Sequence, residues 1–142
     1  MTYGVTGKIL RVDLTHRNHR VEEPDDIFYR TYFGGSALAC HYLLKERGRI
    51  ENPLGPDNLL VFASSPLVGS GIPGANRYSV AAISPLTGVY GEGEAGGWWS
   101  PELKRAGFDA VLVEGRADRP VYLWIHDGEV EIREAVALWG KG

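Results

Sequence analysis

Glycine is the feature that most limits what this chain can fold into. It accounts for 19 of 142 residues, roughly twice the ~7% average, and the distribution is uneven. Gly69, Gly71, Gly74, Gly88, Gly91, Gly93, Gly96 and Gly97 all fall between Ser64 and Gly97, interleaved with Pro66, Pro73 and Pro85. Each glycine loses more conformational entropy on folding than any other residue. A segment so rich in it therefore needs left-handed backbone or close approach to another group.

The rest of the composition is ordinary. Apolar residues make up 44% and charged residues 23%, as in a soluble globular domain rather than a disordered chain. The length suits one domain with one core. No stretch approaches the ~18 apolar residues that cross a bilayer, and Met1–Gly4 show no basic segment leading into an apolar run, so the cytoplasm is the expected location. A net charge of −3 gives no electrostatic reason to expect nucleic acid. Cys40 is the sole cysteine, which excludes an internal disulfide framework and any four-cysteine zinc or iron–sulfur site built from this chain alone.

Apolar periodicity predicts a half-buried strand over 7–14, a turn at His16-Arg17-Asn18 and a short strand around Val21. Asp25 and Asp26 precede a short helix through Ile27, Phe28 and Tyr32 that Gly34-Gly35 stops. Ser36 is expected to cap a second helix running to about Arg47. Strands are predicted at 59–63, 77–83 and 110–114. A short helix is expected from a Ser100 cap with Pro101 in its first turn. Residues 121–126 and 129–133 read as a hairpin around Asp127-Gly128. The two strand–turn–strand units, 9–23 and 121–134, echo one another. The second leads toward Trp139–Gly142 just where a helix would start, so the chain is expected to be truncated at its C-terminal end.

Gly91-Glu92-Gly93-Glu94-Ala95-Gly96 matches G-x-G-x-x-G, and Glu114 stands 18 residues beyond Gly96, where a ribose-binding acid would sit. The context argues against a dinucleotide site. Ser84–Gly88 separates the preceding strand from the first glycine, and Pro101 falls inside the helix that the fingerprint requires. A different anion chemistry fits better. Amides freed by turns at Gly96-Gly97, a helix start at Ser100-Pro101 and the guanidinium of Arg77 suit phosphate oxygens. Tight loops with a surface arginine would leave the same sequence pattern, and residue types alone do not separate the two.

Other candidates carry less chemistry. His16 and His19 sit in a turn without carboxylate or cysteine support, and His41 and His126 read as structural. Cys40 reads as a small buried hydrophobe. Asp13, Glu22 and Glu23 read as a solvated face. Trp98 and Trp99 either stack on a planar ring or pack against a partner. No nucleophile–base pair or metal-ligand set stands out.

Several blocks are distinctive: Tyr3-Gly4, Gly7–Leu14, Tyr32-Phe33-Gly34-Gly35, Pro66-Leu67-Val68-Gly69, Arg77-Tyr78, Ser84-Pro85-Leu86-Thr87-Gly88, Gly96-Gly97 and Glu102–Ala110. In this order, over essentially the whole chain, they resemble the N-terminal domain of the tungsten-containing aldehyde ferredoxin oxidoreductases. The resemblance implies an α+β, β-rich domain of two similar halves over residues 1–142, the second incomplete here. It also implies a base for a tungstopterin, a tungsten ion held by two pterin dithiolenes. Arg77 and Gly96 would contact its phosphates, and Gly97 would shape the same turn. Glu94 stands where the family often has asparagine; a carboxylate there would repel phosphate unless Mg²⁺ or a proton intervened. The 4Fe-4S cluster, the catalytic acid and most of the substrate channel would belong to further domains or subunits, with an aldehyde as substrate, ferredoxin as electron acceptor and a homo-oligomer left open. The alternatives are a subunit acting on another substrate, of aromatic-ring reductase type, and a non-catalytic cofactor-holding fragment.

Overall fold

A computed structural model describes residues 4–141. Met1, Thr2 and Tyr3, used in the leader reading and in the resemblance, and Gly142 at the expected truncation lie outside the described residues. The core is a six-stranded sheet. Its spatial order is β2 (Asn18–Glu22), β1 (Ile9–Asp13), β6 (Ala110–Glu114), β3 (Leu60–Ser64), β4 (Tyr78–Ile83) and β5 (Tyr90–Ala95). β1 and β6 run parallel, and every other neighbouring pair is antiparallel.

The expected half-buried first strand is buried on both sides. Ile9, Leu10, Arg11 and Val12 are all interior, because β1 lies in the middle of a sheet covered on both faces. Successive side chains of a strand point oppositely, and two cores follow from that alternation. Ile9, Val61, Ala63, Ala81, Ile83, Ala110 and Leu112 meet Tyr29 of α1 (Asp26–Tyr32) and Leu38, Ala39, Tyr42 and Leu43 of α2 (Gly35–Glu46). On the opposite face Leu10, Val12 and Val111 meet Leu103 of α3 (Trp99–Arg105) and Phe108. The inner side of the hairpin β7 (Val121–His126)–β8 (Glu129–Glu134) closes this second core with Leu123, Ile125, Val130 and Ile132.

The helix starts are partly as expected. Asp25 caps α1, its carboxylate accepting the Phe28 amide at 2.8 Å. Ser36 does not cap α2. Gly34 holds that position, and the Ser36 hydroxyl reaches Ser79 at 3.2 Å and the Glu92 carboxylate. Ser100 is likewise no cap: it lies inside α3, fully buried, with its Oγ 2.8 Å from that of Ser64. Both serines are spent on tertiary contacts that outweigh local capping preference.

The larger departure is β5. The sequence from Tyr90 to Ala95 reads as glycine turns, yet it forms an antiparallel strand on β4, with Ile83 opposite Tyr90 and Tyr78 opposite Ala95. Ladder pairing overrides the poor strand propensity of glycine. The G-x-G-x-x-G run is thus the edge strand of a sheet, with its first two glycines inside the strand. The hairpin at 121–134 forms as expected, with Asp127 and Gly128 both at positive φ. Among the described residues no helix is long and apolar enough to cross a membrane.

Candidate anion site at the glycine-rich edge

Where β4 begins and β5 ends, two loops meet around a cavity of about 380 Å³ lined by Gly74, Asn76, Arg77, Gly96, Gly97 and Trp98. Three of the four residues singled out from the sequence therefore come together: Arg77, Gly96 and Gly97. Gly74 and Gly97 have φ of +80° and +100°, and a Cβ on either would meet no other residue within 4 Å. The left-handed backbone explains the glycines, and the space beside them is open.

Glu94, the fourth, is not among the lining residues. It lies opposite Ser79 on the α2 face of the sheet, and its carboxylate is 3.9 Å from the Arg77 guanidinium, with the side chains 62% and 58% exposed. An exposed pair at that distance contributes roughly 0–1 kcal/mol. The guanidinium thus remains available to a better-placed anion.

The tryptophans divide their roles. Trp99 packs on Tyr78 and Phe62, with ring centroids at 4.6 and 5.4 Å. Trp98 is 76% exposed and forms a wall of the cavity. Ser100 faces Ser64, so the hydroxyl at the α3 start does not contribute to the cavity. Asn76 lines the cavity with its Oδ1 accepting the Gly69 amide at 3.0 Å. Sequence reasoning passed over Asn76 and took Gly74 only as one of the glycines of the window. The available signal was position, since both stand just before Arg77 in the glycine-rich window.

Several residues read otherwise from the sequence belong to the scaffold. Glu114, the apparent ribose acid, accepts Arg11 Nε at 2.9 Å and Nη2 at 2.8 Å, and Arg49 at 3.1 Å. Those hydrogen bonds hold its carboxyl below the ordinary carboxylate range. Glu22 is not on a solvated face: it accepts the Tyr42 hydroxyl at 2.9 Å. His16 does have carboxylate support, its Nδ1 lying 2.6 Å from Asp13. Cys40 is half-buried rather than in the core. The His41 ring packs at a tilt against Tyr32, centroids 4.1 Å apart, and burial pushes its pKa down. Glu92 is held low by Ser36, with Ser79 and Tyr90 adding hydrogen bonds. Among the described residues no group of three or more His, Cys, Asp or Glu is placed to hold a metal ion.

A mixed sheet with helices on one face and a short helix plus hairpin on the other carries a glycine-lined cavity with one guanidinium at its edge, and the comparisons assign this architecture to a family. The family described as aldehyde ferredoxin oxidoreductase, N-terminal domain, matches residues 9–142, and the chain belongs to it. A tungsten-containing aldehyde ferredoxin oxidoreductase of Pyrococcus abyssi is 45% identical over 139 residues, 98% of this chain and 23% of that protein. An aliphatic sulfonate oxidoreductase WOR-like subunit of Pyrococcus furiosus is 38% identical over 146 residues, 99% of this chain and 23% of that protein. The solved active site complex BamBC of benzoyl coenzyme A reductase with 1,5-dienoyl-CoA superposes with a TM-score of 0.95 at 38% identity, over 100% of this chain and 22% of that one. The chain thus spans about 23% of the length of these curated relatives.

Proposed function

We propose that residues 1–142 form the cofactor-holding domain of a tungsten oxidoreductase that converts aldehydes to carboxylic acids. The observation that carries this reading is the meeting of Arg77, Gly96 and Gly97 on one cavity, in a chain 45% identical to a tungsten aldehyde ferredoxin oxidoreductase. The donor set suits a phosphate ester: a permanently charged planar fork beside turn amides, in a cavity with room for more than one oxygen. Arg77 would bind the phosphate tail of a tungstopterin, the amides of Gly96 and Gly97 would orient it, and Trp98 would shield that side from water. When bound, the tungsten bis-pterin supplies two-electron chemistry, with electrons leaving through a 4Fe-4S cluster to ferredoxin. The cluster and the substrate channel would be carried by the remaining domains or subunits. A cation such as Mg²⁺ between Glu94 and the phosphate would offset their repulsion.

The test is cofactor content. Arg77→Ala in the complete enzyme is expected to lower tungsten and pterin content severalfold, more than it lowers fold stability. Content equal to wild type after purification would overturn the role given to Arg77. A second reading follows from the BamBC likeness: a subunit acting on an aromatic acyl thioester. Aldehyde-dependent ferredoxin reduction by the purified enzyme supports the first reading. Ring reduction of an aromatic acyl-CoA without aldehyde turnover supports the second.

A further inference from the structure

Asn76 has one half of its carboxamide engaged and the other half free. The Gly69 backbone N–H can only donate, so the atom 3.0 Å from it must be the carbonyl oxygen of the side chain. That bond fixes which way round the carboxamide lies. The amide nitrogen, with two N–H donors, bonds to no other described residue, and Asn76 lines the same cavity as Arg77. Arg77 favours an anion there, offset in part by the Glu94 carboxylate 3.9 Å from its guanidinium. Arg77 follows directly in the chain, and Gly96 and Gly97 line the same cavity.

We propose that Asn76 is a second anion-binding side chain of this cavity. Its Oδ1 is anchored by the Gly69 amide, and its Nδ2 donates to a phosphate oxygen that Arg77 also holds. The proposal rests on the reading of the cavity as a phosphate site and adds a residue and an orientation to it. Anchoring through the oxygen is what makes the nitrogen useful. A freely rotating amide would offer an acceptor as often as a donor, and an acceptor beside phosphate is repulsive.

The experiment is titration of inorganic pyrophosphate into the 142-residue chain by calorimetry, with amide hydrogen exchange at Gly69 as a separate readout. Wild type is expected to bind, and Arg77→Ala to lose binding. Asn76→Asp keeps an oxygen for Gly69 but replaces the donors with a charged acceptor. It is expected to leave Gly69 protected and weaken binding more than tenfold. Asn76→Ala removes the donors without adding charge and is expected to weaken binding about tenfold, in line with a hydrogen bond to a charged group. It should also expose Gly69 to exchange. If Arg77→Ala loses pyrophosphate while both Asn76 variants bind as wild type does, the role of Asn76 is wrong and the phosphate site stands. If wild type binds no pyrophosphate, or Arg77→Ala binds it unchanged, the site itself is wrong and the inference falls with it.

Discussion

On β1 the Arg11 side chain is 4% exposed and holds Glu114 through two nitrogens at 2.9 and 2.8 Å, with Glu46 at 3.0 Å on the same guanidinium. Just before β4 the Arg77 side chain is 62% exposed and has one carboxylate at 3.9 Å. Both are arginine–glutamate contacts of one sheet, but their partners leave them in opposite states. Arg11 is committed to the scaffold: Nε and Nη2 bond Glu114 and Glu46, and Nη1 stands 3.7 Å from Glu22, so the cluster ties β1, β2, β6 and α2 together. Arg77 is held weakly at the rim of a cavity by a group that solvent screens. Surplus donor capacity beside open space, rather than the presence of an arginine, marks the binding edge.

The contrast breaks most readily at Arg11. Arg11→Ala would leave the half-buried Glu46 and Glu114 sharing Arg49 alone. With that partial compensation the cost should fall at or below the low end of the roughly 3–5 kcal/mol for a broken buried pair, at about 2–3 kcal/mol. The denaturant midpoint should fall accordingly. A loss below about 1 kcal/mol would mean that water reaches the cluster and that the two arginines differ less than their exposures imply.

Glu114 gives a smaller and pH-dependent effect. Its carboxyl is held below its ordinary 4.5, chiefly by the Arg11 hydrogen bond. The folded state therefore binds this proton more weakly than the unfolded chain does. The stabilisation is complete above about pH 4.5 and disappears as the pH falls through the lower native value. Glu114→Gln is expected to cost about 2 kcal/mol at neutral pH and to flatten the acid side of the stability curve. An acid limb as steep as that of wild type would remove Glu114 as its source.

Much of this architecture was legible because it is local. The alternation in 121–133, the turn at Asp127-Gly128 and the acidic start of α1 each specify an element within a few residues. What failed was decided at a distance. Tyr90–Ala95 becomes a strand because β4 pairs with it, which no property of Gly91 or Gly93 announces. Ser36 and Ser100 look like caps and instead bond Ser79 and Ser64, 43 and 36 residues away. Arg11 sits in an apolar strand where its polarity suggested an exposed side, and its burial depends on acids from three other elements. At the cavity, Arg77, Gly96 and Gly97 could be named because their chemistry is intrinsic to their type. Asn76 could not, since its usefulness comes from an anchor at Gly69 that only the folded loops create.

The smallest expected effect tests the resting state of Arg77 itself. Glu94 neutralises the guanidinium only partially, and a phosphate entering the cavity must share Arg77 with it or displace it. Two unit charges 3.9 Å apart interact by about 1 kcal/mol in water, so Glu94→Gln should tighten pyrophosphate binding about fivefold in dilute buffer. Screening over about 3 Å at 1 M salt should remove the gain. Folding stability should move by no more than about 0.5 kcal/mol, as for other exposed pairs. Unchanged affinity at low salt would show that Glu94 does not compete for Arg77, and the contrast with Arg11 would then rest on exposure alone. A loss of affinity that appears only when Mg²⁺ is present would instead make Glu94 a partner of the bound phosphate through the cation, giving the carboxylate at this position a use that asparagine would not supply.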